Sequence, residues 1–297
     1  MKPNGLRLVL HSVPAAQGWR WIALGWQVFR RAPMPLSGLF AGYLFLASLL
    51  SLLGLAGALL SLMAVPFVGL AFMLSTHRVL QNKPFEWQAL LQPLKLTRSR
   101  AQAQLKLGVI YAVALVAVLT LGDQVDGGQL DALHKTLSEA GSDDAGRAAA
   151  EKALTDALGN PDFWGGVALR TLGVLLISIP FWHAPALVHW GGQGALQALF
   201  SSTLGLWRNR AAFFVNGLGW AAWLFGLSSV LSLVLGVLGL GGLVPLMAMP
   251  LGLFLATVFN ASLYFMFVDS FRFVAADTPA ASDGSAPAEP PPPELPT

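Results

Sequence analysis

The chain has 297 residues, of which 55% are hydrophobic and 11% are charged, and its formal net charge is +3. Soluble globular domains carry about 25% charged residues, and this chain contains no cysteine. The composition therefore excludes a disulfide-rich secreted domain, a thiolate metal site and a disordered regulator. It predicts an integral membrane protein.

Charge-free stretches predict the membrane spans. The 46 residues between Arg31 and Arg78 carry no Asp, Glu, Lys or Arg, and as a helix they would extend about 69 Å, enough for two crossings of a core about 30 Å thick. A third stretch follows Lys106, and Pro161 opens a fourth, since proline is favoured in the first helical turn. The 58 charge-free residues over 211–268 allow two more crossings. The six predicted spans are 36–58, 60–78, 104–122, 163–188, 211–236 and 245–269.

The charges between these spans are segregated. The segments before span one, between spans two and three, and between spans four and five are basic, whereas the loop over 123–162 carries nine acidic and three basic residues. The positive-inside rule places both termini and the basic segments in the cytoplasm and the acidic loop outside. Leu130, Leu133 and Leu137 follow helical spacing, so this outer loop is predicted to be a helical hairpin and a candidate site for a periplasmic partner.

Three pairs of arginines suggest an internal repeat. They are Arg30 and Arg31, Arg98 and Arg100, and Arg208 and Arg210. Each pair precedes an odd-numbered span and ends an amphipathic stretch, as expected of a helix lying in the headgroup layer. The even-numbered spans each contain a proline, namely Pro66, Pro180 and Pro250. We interpret the domain over 1–274 as three repeats of an interfacial amphipathic helix followed by a helical hairpin; the alternative is that such features are common in any membrane protein. The apolar faces of the three stretches are Trp19, Ile22, Trp26 and Phe29; Trp87, Leu90, Leu91 and Leu94; and Leu196, Leu199, Phe200, Thr203 and Trp207.

The last segment has a different composition. Residues 275–297 include seven prolines, four of them consecutive. Such a composition favours polyproline-like or unfolded chain over a packed core. We expect a disordered cytoplasmic tail.

Six polar side chains fall toward the cytoplasmic ends of the predicted spans. They could line an inward-facing polar cavity, because prolines near them break helices and free backbone groups. The alternative is that each lies singly at the headgroup level. The six are His77, His183, His189, Asn216, Asn260 and Asp269.

Arg170 is the charge predicted to lie within a span. An ionisable residue in a membrane span is by default a functional candidate. Its side chain either extends to the phosphates of the outer leaflet or contacts a pore or substrate, and the sequence indicates no partner for it.

Seven arginines are predicted to contact lipid headgroups. They lie in the basic segments, which suit anionic lipids on the cytoplasmic side. Because each segment adjoins a membrane span, nucleic acid is not expected as a partner. The seven are Arg20, Arg30, Arg31, Arg98, Arg100, Arg208 and Arg210.

No catalytic set is recognisable. The sequence has no nucleophile elbow, no Walker loop and no zinc-binding His-Glu-x-x-His. His183 and His189 are six residues apart, so on one helix they diverge by roughly 120° and do not form a metal-binding pair. No metal and no cofactor are predicted.

Short phrases of the sequence resemble a known family. They are VPAAQG at 13–18, FRRAP at 29–33 and FWHAPALV at 181–188. They are similar to a family of uncharacterised proteobacterial multipass inner-membrane proteins, with a distant likeness to YciC-like proteins and to the membrane domain of some glycerophosphodiester phosphodiesterases. The resemblance covers about residues 8–273. It implies a bacterial inner-membrane location and a multipass topology, and it implies no activity.

Three functional classes remain open on sequence. The favoured hypothesis is a non-enzymatic membrane protein that organises lipids or partners, because of its aromatic and basic interfacial helices. The first alternative is a transporter or channel for a small or amphiphilic solute, based on the proline-broken spans and the polar cluster. The second is a membrane enzyme acting on lipid headgroups.

Overall fold

The computed structural model describes residues 6–83, 97–141 and 143–275. Within these ranges two short strands, β1 (Leu6–Leu10) and β2 (Phe271–Ala275), accompany a helical bundle. The helices are α1 (Gln17–Arg31), α2 (Pro33–Ser51), α3 (Leu55–Leu80), α4 (Arg98–Asp126), α5 (Gln129–Glu139), α6 (Asp144–Leu158), α7 (Pro161–Phe181), α8 (Ala184–His189), α9 (Ala195–Arg208), α10 (Arg210–Val237) and α11 (Val244–Ser270).

Six helical segments of the described chain are long and apolar enough to cross a membrane. This confirms the predicted all-α integral membrane protein with six transmembrane helices. α4 extends at both ends beyond the predicted span at 104–122, because a helix continues past the hydrocarbon core where its charged ends are solvated. The six segments are Pro33–Ser51, Leu55–Leu80, Arg98–Asp126, Pro161–His189, Arg210–Val237 and Gly241–Ser270.

Two of the three predicted amphipathic stretches lie within the described residues. The first forms α1 and the third forms α9. The second, with Trp87, Leu90, Leu91 and Leu94, lies outside the described residues, as do residues 276–297 of the predicted tail.

Helix α1 lies along both α10 and α11. Against α11, its first turn meets Asp269 and its last turn packs the Phe29 ring on that of Phe254, so the two helices run antiparallel. Against α10, Gly18 approaches Ala212 and the Trp26 ring packs on that of Trp223. α1 therefore runs parallel to α10 and occupies the space between the last two spans.

Glycine allows this close approach. A Cβ on Gly18 would overlap the Ala212 carbonyl oxygen and lie 2.7 Å from the Asn216 nitrogen, and one on Gly25 would lie 2.8 Å from the Val258 oxygen. Small residues set how closely helices approach in membranes. The structure buries Gly18, Trp21, Ile22, Gly25 and Val28.

The fourth span is broken between α7 and α8, near Pro180 and Pro185. Side chains from α4 and α9 bind backbone groups at the break. Gln104 Nε2 donates to the Pro185 carbonyl at 2.7 Å, and Ser202 Oγ accepts from the His183 amide at 3.3 Å. The neighbouring helices therefore satisfy the freed backbone groups, as a break within a membrane requires.

The two strands pair antiparallel, with Leu10 opposite Phe271. The segments before the first span and after the last therefore lie at one end of the bundle, which we call the strand end. Buried Asn209 strengthens this join: its side chain accepts from the Val13 amide at 2.9 Å and donates to the His11 carbonyl at 3.0 Å. Burial and the nearby Arg272 charge lower the pKa of His11. Neither the sheet nor the role of Asn209 was expected from the sequence.

At the opposite end, α5 and α6 form a helical hairpin. Leu133 of α5, Ala157 of α6 and Phe163 of α7 form a small buried cluster. The Asp143 side chain caps α6 by accepting from the Gly146 amide at 3.1 Å. The loop predicted at 123–162 is therefore helical, although its first acidic residues belong to α4.

Substitution at Gly18 tests the packing of α1. Gly18→Ala should lower the stability of the detergent-solubilised protein by about 1–3 kcal/mol, because the added methyl group overlaps the α10 backbone. Gly42→Ala in α2 is the matched control, since a Cβ there meets nothing within 4 Å. Thermal unfolding measures the melting temperatures of the two variants. Equal melting temperatures would contradict the contact between Gly18 and α10.

Candidate functional site

Two residues of the predicted polar cavity hold α1 in place. The Asp269 carboxylate accepts from Gln17 Nε2 at 2.6 Å and from Trp21 Nε1 at 2.7 Å. Asn216 Nδ2 donates to the Gly18 carbonyl at 3.0 Å. Both polar groups are thus occupied by contacts within the fold.

His183 lies in an aromatic cage. It is fully buried, with its ring centroid 5.7 Å from that of Phe213, 6.2 Å from Phe267 and 5.6 Å from Phe271. Among the described residues neither ring nitrogen has a hydrogen-bond partner. His183 therefore packs as a core aromatic residue.

His77 and His189 both pack against Trp190. Their ring centroids lie 6.3 and 5.3 Å from the Trp190 ring centroid. His77 Nδ1 is hydrogen-bonded to the Tyr264 hydroxyl at 2.7 Å. Asn260 takes no part in this cluster, because its amide donates to the Ala256 carbonyl of its own helix at 2.9 Å.

The six polar residues are thus distributed among separate contacts. A cavity of about 880 Å³ includes only Asn216 of the six. It runs between α7 and α10, with α9 at one end and a contribution from α11, and we call it the α7–α10 groove. Its lining is almost wholly apolar. The sequence indicates that α7 and α10 have charge-free faces, but it does not indicate that a groove separates the two helices.

Arg170 has two carboxylate partners, which corrects the view that the sequence offers none. Its guanidinium donates to Asp126 Oδ2 at 2.7 Å and also to the Asp123 carboxylate. Arg170 is 8% exposed and Asp126 1% exposed. A Cβ on Gly122 would lie 2.5 Å from Arg170 Cγ, so glycine makes room for the ion pairs between α4 and α7. Arg170 thus joins two helices.

The predicted headgroup arginines are exposed, apart from one. Arg100 is half-buried and donates to the His189 carbonyl at 3.0 Å, so it supports the end of α8. Two others stack over tryptophan: Arg30 lies 5.9 Å from the Trp26 ring centroid and Arg210 lies 5.5 Å from that of Trp207. The fully exposed ones are Arg20, Arg30, Arg31, Arg98, Arg208 and Arg210.

Helix α9 has two different faces. Small residues such as Ala198 and Gly205 face the bundle, whereas Phe200 and Trp207 remain 69% and 68% exposed. Leu196 continues the exposed apolar row, because positions 196, 200 and 207 follow helical spacing. This exposed apolar row ends at Arg208, and it is what a helix lying in a membrane interface requires.

The described residues offer little for catalysis by a metal. Within 6–83, 97–141 and 143–275, no group of three His, Asp or Glu side chains is placed to hold a metal ion.

Removal of the Arg170 charge should reduce stability strongly. Arg170→Leu leaves Asp126 buried without its cation, which typically costs about 3–5 kcal/mol. Arg147→Leu is the matched control, because Arg147 pairs with Asp144 at the surface, where the two side chains are 73% and 105% exposed, and such pairs contribute little.

Thermal unfolding in detergent measures both effects. Adding Asp126→Asn to Arg170→Leu should restore part of the loss, since it removes the unpaired buried charge. A double variant less stable than Arg170→Leu alone would contradict the role of this ion pair.

Comparison with known proteins places the chain in a family. A protein of Burkholderia thailandensis, described as a probable inner membrane protein, is 30% identical over 264 residues, which cover 89% of this chain and 92% of that protein. No family model matches the chain, and no solved structure matches it significantly. The match spans almost all of both proteins, and the chain has six membrane-capable helices. The chain therefore belongs to this family of uncharacterised multipass inner-membrane proteins.

Proposed function

We propose that this protein is a non-enzymatic organiser of anionic lipids at the cytoplasmic face of the inner membrane. The supporting observation is α9, whose exposed apolar row of Leu196, Phe200 and Trp207 ends at Arg208 and Arg210. Apolar side chains of such a helix enter the acyl region while its basic end meets lipid phosphates.

The distribution of charge supports a cytoplasmic location of the strand end, and with it of both termini. Arg20 in the first turn of α1, Arg98 at the start of α4, and Arg208 at the end of α9 are exposed arginines near this end. The loop containing α5 and α6, by contrast, has a net charge of −6, from three basic and nine acidic residues. Basic loops are retained on the cytoplasmic side during insertion. The acidic hairpin then faces the periplasm, where it is available to a partner.

The placement of the polar residues favours lipid organisation over transport of a polar solute. Asp269 and Asn216 hold α1, and His183 is enclosed by aromatic rings. The α7–α10 groove favours a second candidate function, transport of an amphiphile, because its apolar lining suits a hydrocarbon chain. Two hypotheses from the sequence stay predictions. One is that the protein is an enzyme acting on lipid headgroups. The other is its distant likeness to YciC-like proteins and to the membrane domain of some glycerophosphodiester phosphodiesterases.

Neutralising exposed arginines tests the proposed function. In the triple variant Arg20→Gln, Arg98→Gln and Arg208→Gln, we expect co-purified phosphatidylglycerol to fall at least about tenfold relative to phosphatidylethanolamine, because each basic residue near an anionic surface contributes about 1 kcal/mol. Lipid extraction and mass spectrometry of the purified protein measure this ratio.

The matched control removes three charges from the hairpin. Lys135→Gln, Arg147→Gln and Lys152→Gln alter exposed residues of α5 and α6 and should leave the lipid ratio unchanged. An unaltered ratio in the arginine triple variant, or an equal fall in both variants, would refute the proposal.

The absence of cysteine from the chain makes orientation directly testable. Glu151→Cys on exposed α6 should react with a membrane-impermeant maleimide added to spheroplasts, whereas Arg98→Cys should react only after the membrane is opened. The reverse pattern would overturn the proposed orientation.

A further inference from the structure

Aromatic side chains define one wall of the α7–α10 groove, and α10 defines its length. Trp182, at the end of α7, contacts the rings of Phe213 in α10 and Phe259 in α11, at centroid distances of 6.1 and 5.6 Å. These three rings form one wall of the groove. Its lining on α10 runs from Arg210, at the strand end, to Leu224, which along a helix is about 21 Å.

This length matches one leaflet of a bilayer. With its headgroup regions a bilayer is about 40–45 Å thick, so one leaflet is roughly 20–22 Å thick from the midplane to the headgroups. A hydrocarbon chain with its headgroup is an occupant that fits this length.

The groove also has a charge at one end only. Arg210 is the single formally charged residue in its lining, beside Trp207 of α9 and the Thr203 hydroxyl. The Arg210 side chain is exposed and stacks over the Trp207 ring at 5.5 Å. An apolar channel with a cation at its mouth is complementary to an anionic amphiphile.

Gly217 provides the depth of the groove. It belongs to the lining, and a Cβ there would meet no atom within 4 Å. A side chain at this position would extend into open space, so its absence leaves room for the occupant.

We propose that the α7–α10 groove is a binding site for one anionic phospholipid, with an acyl chain along α10 and the phosphate at Arg210. This inference rests on the proposed lipid-organising function and assigns it a specific site. The chain then binds a defined lipid molecule in addition to the lipids that surround its exposed arginines.

Two substitutions address the two parts of the ligand. Gly217→Phe fills the groove, and Arg210→Gln removes the cation that faces the phosphate. The matched controls are Gly226→Phe, on the same helix outside the lining with nothing within 4 Å of a Cβ, and Arg147→Gln, an exposed arginine of α6.

The measurement is native mass spectrometry of the full chain in detergent, titrated with phosphatidylglycerol and, separately, with phosphatidylethanolamine. The wild type should bind one phosphatidylglycerol in preference to phosphatidylethanolamine. Gly217→Phe and Arg210→Gln should each weaken this binding at least about fivefold, and the controls should bind as the wild type does. Circular dichroism verifies folding, and Arg210→Gln decides the question where Gly217→Phe does not fold.

Wild-type affinity in Arg210→Gln, or in a folded Gly217→Phe, would overturn the site, as would equal binding of the two lipids. The outcome is separable from that of the general proposal. If the triple variant at Arg20, Arg98 and Arg208 loses its anionic lipid while Gly217→Phe keeps the bound molecule, the interfacial function stands and the groove site is wrong. If only the groove variants lose it, the groove site stands and the interfacial proposal fails.

Discussion

The seating of α1 between α10 and α11 is the constraint on which the strand end depends. The last two spans enclose the helix that precedes the first span. The contact is fixed by the glycines of α1, by the hydrogen bond that Asn216 donates to Gly18, and by those that Asp269 accepts from α1. A polar bond within a membrane competes with few alternatives, because no water replaces a lost partner. The polar residues at these positions therefore contribute to architecture before any other role.

The ion pairs of Arg170 serve the same purpose at the other end. A buried charge is costly unless it is paired and hydrogen-bonded, and the two carboxylates on α4 meet this condition for α7. The two clusters lie at opposite ends of the bundle. The α7–α10 groove lies between them, with an apolar lining and with Arg210 at its strand end.

The sequence predicts the spans well, because membrane insertion depends on composition averaged over about 20 residues. The contacts are harder to predict. Arg170 and Asp126 are 44 residues apart, and hydropathy carries no information about which helices are neighbours. The apolar face of α1 was recognisable from its aromatic residues, but the close approach at Gly18 and Gly25 was not, because glycine leaves no periodic signal in hydropathy. The alternation of Arg7 and Arg272 with apolar neighbours was a usable signal for the two strands, but each is only five residues long.

The pairing of β1 with β2 bears on the order in which the protein is made. β1 and α1 are synthesised before α10, α11 and β2, which form the surfaces that receive them. Before these elements are synthesised, α1 has none of these partners. Because it is amphipathic, it can bind at the membrane surface during that time. Docking of α1 consequently comes after insertion of the last span, and it joins the two ends of the chain in a late step of folding.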